Sequence, residues 1–217
     1  MVHESFLSGL ENVMSKKISN NSVILASGSA TRAKMLLDAG ILFTPCVPVV
    51  DESSVREKLY KQRENATTIA ENLSLAKAMV VAKEHPQDLV IGSDQLLVFD
   101  GVPLGKSADI PAAKTLLQAL RGNTHYLYTA AVLVRGQECL WHHTTICSLT
   151  MRAFSETFLD HYLEREGEAI LSSVGCYRLE ERGLQLFDRV EGDYFSILGL
   201  PLLDLIKALR DVGALEQ

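Results

Sequence analysis

Ile24-Leu25-Ala26-Ser27-Gly28-Ser29-Ala30-Thr31-Arg32 is the stretch on which the reading of this chain turns. Ile24 to Ala26 are apolar and suit a buried strand, Ser27 to Ala30 are all small, and a helical pattern begins at Thr31. Strand, tight corner and helix in that order mark an α/β unit. The same order also makes an anion site. Small residues let a ligand approach the backbone, Ser29 can cap the helix, and the helix presents free N–H groups and its positive dipole end. Arg32 adds a planar fork of donors that suits phosphate oxygens. From this segment alone, the plain corner and the phosphate cradle both remain open.

Outward from it, strand and helix periodicities alternate along the whole chain. Residues 23–27 read as a strand, 31–39 as a helix stopped by Gly40, and 43–49 as an extended segment. Over 67–84, Ile69, Leu73, Ala76 and Val80 recur at helical spacing with Lys77 beside that stripe. Residues 89–99 are strand-like and end at the Asp100-Gly101 turn. A helix follows over 111–120, then an antiparallel pair over 126–134 and 138–150 joined by Arg135-Gly136-Gln137. A helix over 154–164, an alternating strand over 183–190 and a helix over 200–209 complete the pattern. These elements predict an α/β fold: a mixed, twisted central sheet with flanking helices and a cleft at the strand ends, where Ser27 and Asp94 meet.

The chain has 217 residues, 47% of them hydrophobic, enough to bury a full core. Residues 23–217 read as a single domain and 1–22 as an N-terminal extension. In that extension Phe6, Leu7, Leu10, Val13 and Met14 have helical spacing. Glu4 and Glu11 remove the basic character of a secretory signal, so an accessory helix or a frayed tail is expected. A net charge of −6 without Lys/Arg clusters argues against a general nucleic-acid or membrane-surface binder. A single nucleotide needs only a basic pocket. Cys46, Cys139, Cys147 and Cys176 form no C-x-x-C pair, so neither a zinc site nor a disulfide scaffold is indicated, and a reduced cytoplasmic setting is expected. No apolar run has the length of a membrane span.

Further segments then join the first. Val90-Ile91-Gly92-Ser93-Asp94-Gln95 carries a carboxylate on an apolar strand, Leu104-Gly105-Lys106 follows it, and Glu191-Gly192-Asp193-Tyr194 and Leu198-Gly199-Leu200-Pro201 stand near the C-terminus. This ordered set resembles the Maf family of nucleoside triphosphate pyrophosphatases, over residues 24–209. The family's motifs are L-A-S-x-S-P-R-R, G-A/S-D, L-G-K-P, E-G-x-Y and V-G-L-P. The resemblance implies a Maf/ITPase-like architecture and cleavage of a nucleoside triphosphate at the α-β phosphate bond. It also implies a divalent cation, Mg²⁺ or Mn²⁺, and is compatible with a homodimer. The expected substrate is a modified nucleotide such as 7-methyl-GTP; dTTP/UTP or broad nucleoside triphosphate cleavage, and a non-catalytic nucleotide-binding regulator of cell division, are the alternatives.

Asp94 is the strongest candidate for chemistry. A carboxylate on a buried strand needs compensation, from a hard cation or from a basic partner such as Lys106. In the family the matching aspartate is the catalytic base. Glu52 matches the family's second acid, a metal ligand, with Asp51 as a weaker substitute. Without the resemblance, Asp51 and Glu52 read as a solvated loop. Lys77 and Lys106 match two active-site lysines. Lys77 alone would pass for a lysine snorkelling from its helix, whereas Lys106 follows a glycine in a turn that reaches back over the cleft. Ser27, Arg32, Lys77 and Lys106 together make the expected phosphate cradle.

His125 is expected to make a structural hydrogen bond, and the adjacent His142 and His143 to point to opposite faces of a strand. For the base, Thr31, Gln95 and Glu180 occupy the positions that separate the family's dTTP/UTP class from its 7-methyl-GTP class. Gln95 and Glu180 resemble the latter, while Thr31 matches neither. An ionised Glu180 offers only acceptors, which suits the N1–H and N2–H₂ donors of guanine and opposes the carbonyls of uracil and thymine.

Overall fold

The computed structural model describes residues 22–216. Apart from Ser22, the expected N-terminal extension therefore lies outside the described residues. Val23–Ala26 forms β1, and Ala30–Asp38 forms α1. Then come β2 (Thr44–Cys46), α2 (Glu52–Lys61), α3 (Ala66–Glu84), β3 (Leu89–Phe99) and β4 (Val102–Leu104). The second half holds α4 (Ile110–Leu120), β5 (Thr124–Arg135), β6 (Glu138–Met151), α5 (Glu156–Glu166), β7 (Phe187–Glu191), α6 (Tyr194–Ile197) and α7 (Leu202–Asp211).

The sheet runs β2-β1-β3-β5-β6-β7, with β4 paired to β3. β1 pairs in parallel with β2 and β3, while β3, β5, β6 and β7 are joined antiparallel, so the sheet is mixed as expected. Side chains alternate cleanly across it. Ile24, Ala26, Val90 and Val132 pack under Ala78, Val81 and Ala82 of α3. Val23, Leu25, Leu89, Ile91 and Leu133 face Met35 and Leu36 of α1 and Leu205 and Leu209 of α7 on the other side. A further cluster, with Leu97, Leu127, Leu149 and Leu159, closes the end against α4 and α5.

Period-two alternation also decides which way the candidate residues of β3 point. Gly92 and Asp94 share the α3 face, and Ser93 and Gln95 turn to the other. β1 pairs with β3 only from Val23–Leu89 to Ala26–Gly92. β3 thus outruns β1, and Asp94 lies mid-strand rather than at a strand end. The cleft opens because β1 stops, not because β3 does.

Three further expectations need correction. The segment read as a solvated loop around Glu52 is the start of α2. Asp51 is its N-cap, its carboxylate accepting from Ser54 N at 3.0 Å, Ser54 Oγ at 2.6 Å and Ser53 Oγ at 2.7 Å. These hydrogen bonds hold Asp51 down to about 2, and it caps α2 without lining the cleft that Glu52 enters. The strand expected over 183–190 is a 3₁₀ turn at Arg182–Leu186 followed by β7. Gly183 allows that turn, since a Cβ there would lie 2.5 Å from the Arg178 carbonyl oxygen.

Candidate active site

A cleft of about 800 Å³ opens at the end of β1, lined by Ser27, Thr31, Arg32, Glu52, Lys77, Asp94, Gln95, Lys106 and Glu180, with the substitute acid Asp51 outside it. The sequence scatters them over more than 150 positions, and the fold brings them together.

At its floor, Lys77 Nζ bridges two carboxylates, lying 2.5 Å from Asp94 Oδ1 and 3.0 Å from Glu52 Oε1. The side chains of Lys77 and Asp94 are only 9% and 8% exposed. Lys77 is therefore a buried partner, not a snorkelling helix residue, and it takes the place beside Asp94 suggested for Lys106. Gly92 makes this approach possible. A Cβ there would sit 2.3 Å from the Ser74 carbonyl oxygen and 2.8 Å from Ala78 Cβ, so α3 could not lie this close to β3. The glycine two residues before Asp94 thus sets the distance that Lys77 spans.

The turn after β1 is held by its own hydroxyls. Ser29 Oγ accepts from Arg32 N at 3.3 Å and caps α1. Ser27 Oγ accepts from Ser29 N and from Arg32 Nη1, both at 3.2 Å. With those acceptor sites used, the Ser27 hydroxyl proton is what remains to be donated. Arg32 is committed to the protein more than sequence suggested. Its Nε donates to the Gly199 carbonyl at 2.6 Å and its Nη1 to the Ser93 carbonyl at 2.9 Å. Burial pushes its guanidinium below the ordinary value, against the pull of Asp94 and Glu52. Ser93 Oγ also donates to the Gly199 carbonyl at 3.0 Å. The turn, the acid motif and the C-terminal motif are thereby tied through one guanidinium and one carbonyl.

Gln95 uses its amide NH₂ on Thr129 Oγ1 at 2.8 Å and on the carbonyls of Ser196 and Ile197 at 3.0 and 3.1 Å. It anchors α6, whose N-cap Asp193 accepts from Ser196 N and Oγ. Glu191 lies on the surface with Arg189 and Ser148, so this motif shapes the wall rather than supplying chemistry. The opposite wall is the segment carrying Glu180, exposed at its end. Arg178 pins it, donating to the buried Glu166 at 2.8 Å. Tyr177 backs it, with its hydroxyl 2.8 Å from His125 Nε2. His125 has the structural hydrogen bond expected of it, and burial depresses it to about 4. His142 and His143 point apart, toward Glu71 and Asp204.

Sequence reasoning missed Arg56 and Tyr177 as lining residues. The spacing of Val55 and Leu59 after a capping Asp51 was the available signal for α2, and hence for Arg56.

The donors suit a hard divalent cation. Asp94 Oδ2 is buried without a hydrogen-bond partner, and Glu52 brings a second carboxylate to the same lysine. No group of three or more His, Cys, Asp or Glu placed to hold a metal occurs among the described residues. Two carboxylates are what Mg²⁺ commonly takes from protein, since it keeps waters and uses substrate phosphates for the rest.

Fold and cleft define an α/β domain in which a turn-and-helix corner faces a buried aspartate and a part-exposed glutamate bridged by one lysine. The Maf-like protein family matches residues 22–212, and the chain belongs to that family. A nucleoside triphosphate pyrophosphatase of Paramagnetospirillum magneticum is 51% identical over 88% of this chain and 99% of its own length. Another so named, from Granulibacter bethesdensis, is 48% identical over 89% and 98%. A 7-methyl-GTP pyrophosphatase of Rhizobium etli is 44% identical over 89% and 98%. No helix among the described residues is long and apolar enough to cross a membrane.

Proposed function

We propose that this chain hydrolyses a nucleoside triphosphate between its α- and β-phosphates, releasing a nucleoside monophosphate and pyrophosphate. Such a reaction clears unwanted nucleotides before polymerases use them. The observation that carries the reading is Lys77 bridging Asp94 and Glu52 beside the Ser27 turn, which sets water-activating groups against a phosphate site. The relatives' names support it.

Asp94, through its unpartnered Oδ2, takes a proton from the attacking water. The water oxygen bonds to the α-phosphorus, the bond from that phosphorus to the bridging oxygen breaks, and pyrophosphate leaves with the bridging oxygen. The Ser27 hydroxyl and the free N–H groups of α1 bind phosphate oxygens, and Lys106 reaches the leaving end, where charge grows. Arg32 acts mainly by holding the turn against β3 and Gly199. Glu52 and Asp94 would hold Mg²⁺ or Mn²⁺, which when bound supplies charge neutralisation and a more acidic water.

For the base, a modified guanine nucleotide such as 7-methyl-GTP fits best. Glu180 presents acceptors at the cleft, and Gln95, its NH₂ spent on α6, has only its carbonyl oxygen left for a base. Thr31 lines the same cleft. The relatives include both a 7-methyl-GTP enzyme and enzymes named more broadly, so dTTP/UTP or broad cleavage is the competing outcome.

The test is pyrophosphate release with Mg²⁺ or Mn²⁺ from 7-methyl-GTP, GTP, UTP and dTTP. Wild type should prefer 7-methyl-GTP. Glu180→Gln places a donor against a donor and should lower that nucleotide's kcat/KM about thirtyfold while sparing UTP. A wild-type preference for pyrimidines removes the guanine reading.

A further inference from the structure

Arg56 stands four residues after Glu52 on α2, the spacing that sets two side chains on one helix face, and both line the cleft. Its Nε is buried without a hydrogen-bond partner among the described residues. A donor buried this way is unfavourable unless something accepts from it. Its Nη1 lies 3.2 Å from where a Cβ on Gly105 would stand, so the guanidinium rests against the backbone of the residue preceding Lys106.

The other cations of the cleft sharpen the contrast. Arg32 is committed to the carbonyls of Gly199 and Ser93, Lys77 to Asp94 and Glu52, and Arg178 to Glu166. Arg56 and Lys106 are the two cleft cations that make no hydrogen bond or ion pair among the described residues. Both line the same cleft, and Arg56 reaches the backbone next to Lys106, where a side chain on Gly105 would crowd it.

We propose that Arg56 is a further phosphate-binding residue, taking the terminal phosphates of the bound triphosphate and, with Lys106, clamping pyrophosphate as it departs. This rests on the pyrophosphatase reading above. A planar guanidinium fork matches two oxygens of one phosphate, and a compact ammonium such as that of Lys106 supplies a point charge beside it. Negative charge on the leaving group rises as its bond to the α-phosphorus breaks, so the contact strengthens toward the transition state. Gly105 is then a residue of the clamp. No positive φ holds it to glycine, and the Arg56 guanidinium is the sole group that a Cβ there would meet within 4 Å.

The experiment combines Arg56→Gln and Gly105→Ala, singly and together, assayed with the nucleotide that wild type cleaves fastest. Inhibition by inorganic pyrophosphate and by the matching monophosphate is measured in parallel. α2 contributes no fully buried residue, so Arg56→Gln should leave the fold intact. It should lower kcat/KM and weaken pyrophosphate inhibition about tenfold each, with monophosphate inhibition within about twofold of wild type. Gly105→Ala should produce a smaller loss of the same kind, and none when Arg56 is already glutamine. Unchanged pyrophosphate inhibition in Arg56→Gln, or an equal Gly105→Ala effect in both backgrounds, overturns the role of Arg56 while leaving the enzyme reading intact. A wild type that releases no pyrophosphate from any triphosphate overturns both.

Discussion

Two helices bring charge to the same cleft by different means. α3 buries Ile69, Ala70, Leu73, Ser74, Ala78, Val81 and Ala82, and carries Lys77 in with them. α2, which brings Glu52 and Arg56, has no fully buried residue and rests through the half-buried Val55 and Leu59 on the cluster around Leu73. One side of the site is built into the core, and the other is laid on its surface. The difference implies unequal local stability. Backbone with few buried apolar contacts opens at a small free-energy cost, while core helices open only near global unfolding. The acid-lysine floor is thus preorganised, whereas the second acid and the Arg56 arm of the proposed clamp sit on the helix with fewer buried contacts. This division suits an enzyme that must grip a highly charged product and then release it.

The sharpest way to break this comparison is at Asp94. Asp94→Asn keeps the shape but loses the charge on which the proposed mechanism relies, so turnover should fall about a thousandfold or more. Nucleotide binding by titration calorimetry should survive. Activity within a few-fold of wild type would remove the built-in side from the chemistry.

Gly92→Ala tests the packing that makes that side rigid. The new Cβ must push α3 off β3, at a cost of about 3 kcal/mol in denaturant unfolding, with loss of activity as Lys77 withdraws. A mutant as stable as wild type would show that α3 has slack the structure denies.

The buried side extends to the Tyr177 wall, where pH is the probe. Folding holds His125 at about 4, against an unfolded value of about 6.5. Above the unfolded value neither state carries the proton. As pH falls from there toward 4, the unfolded chain takes up a proton that the folded chain refuses, so stability declines, by about 3 kcal/mol at most. His125→Gln should flatten that part of the pH-stability curve, and an unchanged slope would place the acid sensitivity elsewhere.

The smallest effect is expected on α2. Leu59→Ala should cost about 1 kcal/mol or less, against about 3 kcal/mol for Leu73→Ala on α3. Equal losses would erase the distinction between the two helices.

The same contrast explains what sequence could disclose. β1, α3 and β3 were legible because their apolar residues recur at strand or helix spacing over lengths that only burial explains, and the mixed sheet followed from them. α2 was not, since a surface helix with only Val55 and Leu59 as its apolar stripe looks like solvated loop. The motif residues Ser27, Asp94 and Lys106 announced themselves by position, but the partners of Lys77 and Arg32 did not. Those depend on a helix-to-sheet distance set by Gly92 and on a carbonyl at Gly199, neither of which side-chain chemistry reveals. The turn at 182–186 was read as strand because its alternation of Leu184 and Leu186 mimics a two-residue period.

The bond from Arg32 to the Gly199 carbonyl spans 167 positions of sequence. During synthesis, the turn at 27–30 and its helix are made first, and the carbonyl that fixes Arg32 follows only 167 residues later. Until then the arginine lacks the acceptor to which its Nε is tied in the finished protein. The nascent chain therefore passes through a period in which the Ser27 turn exists in outline without the lock that the Gly199 carbonyl supplies.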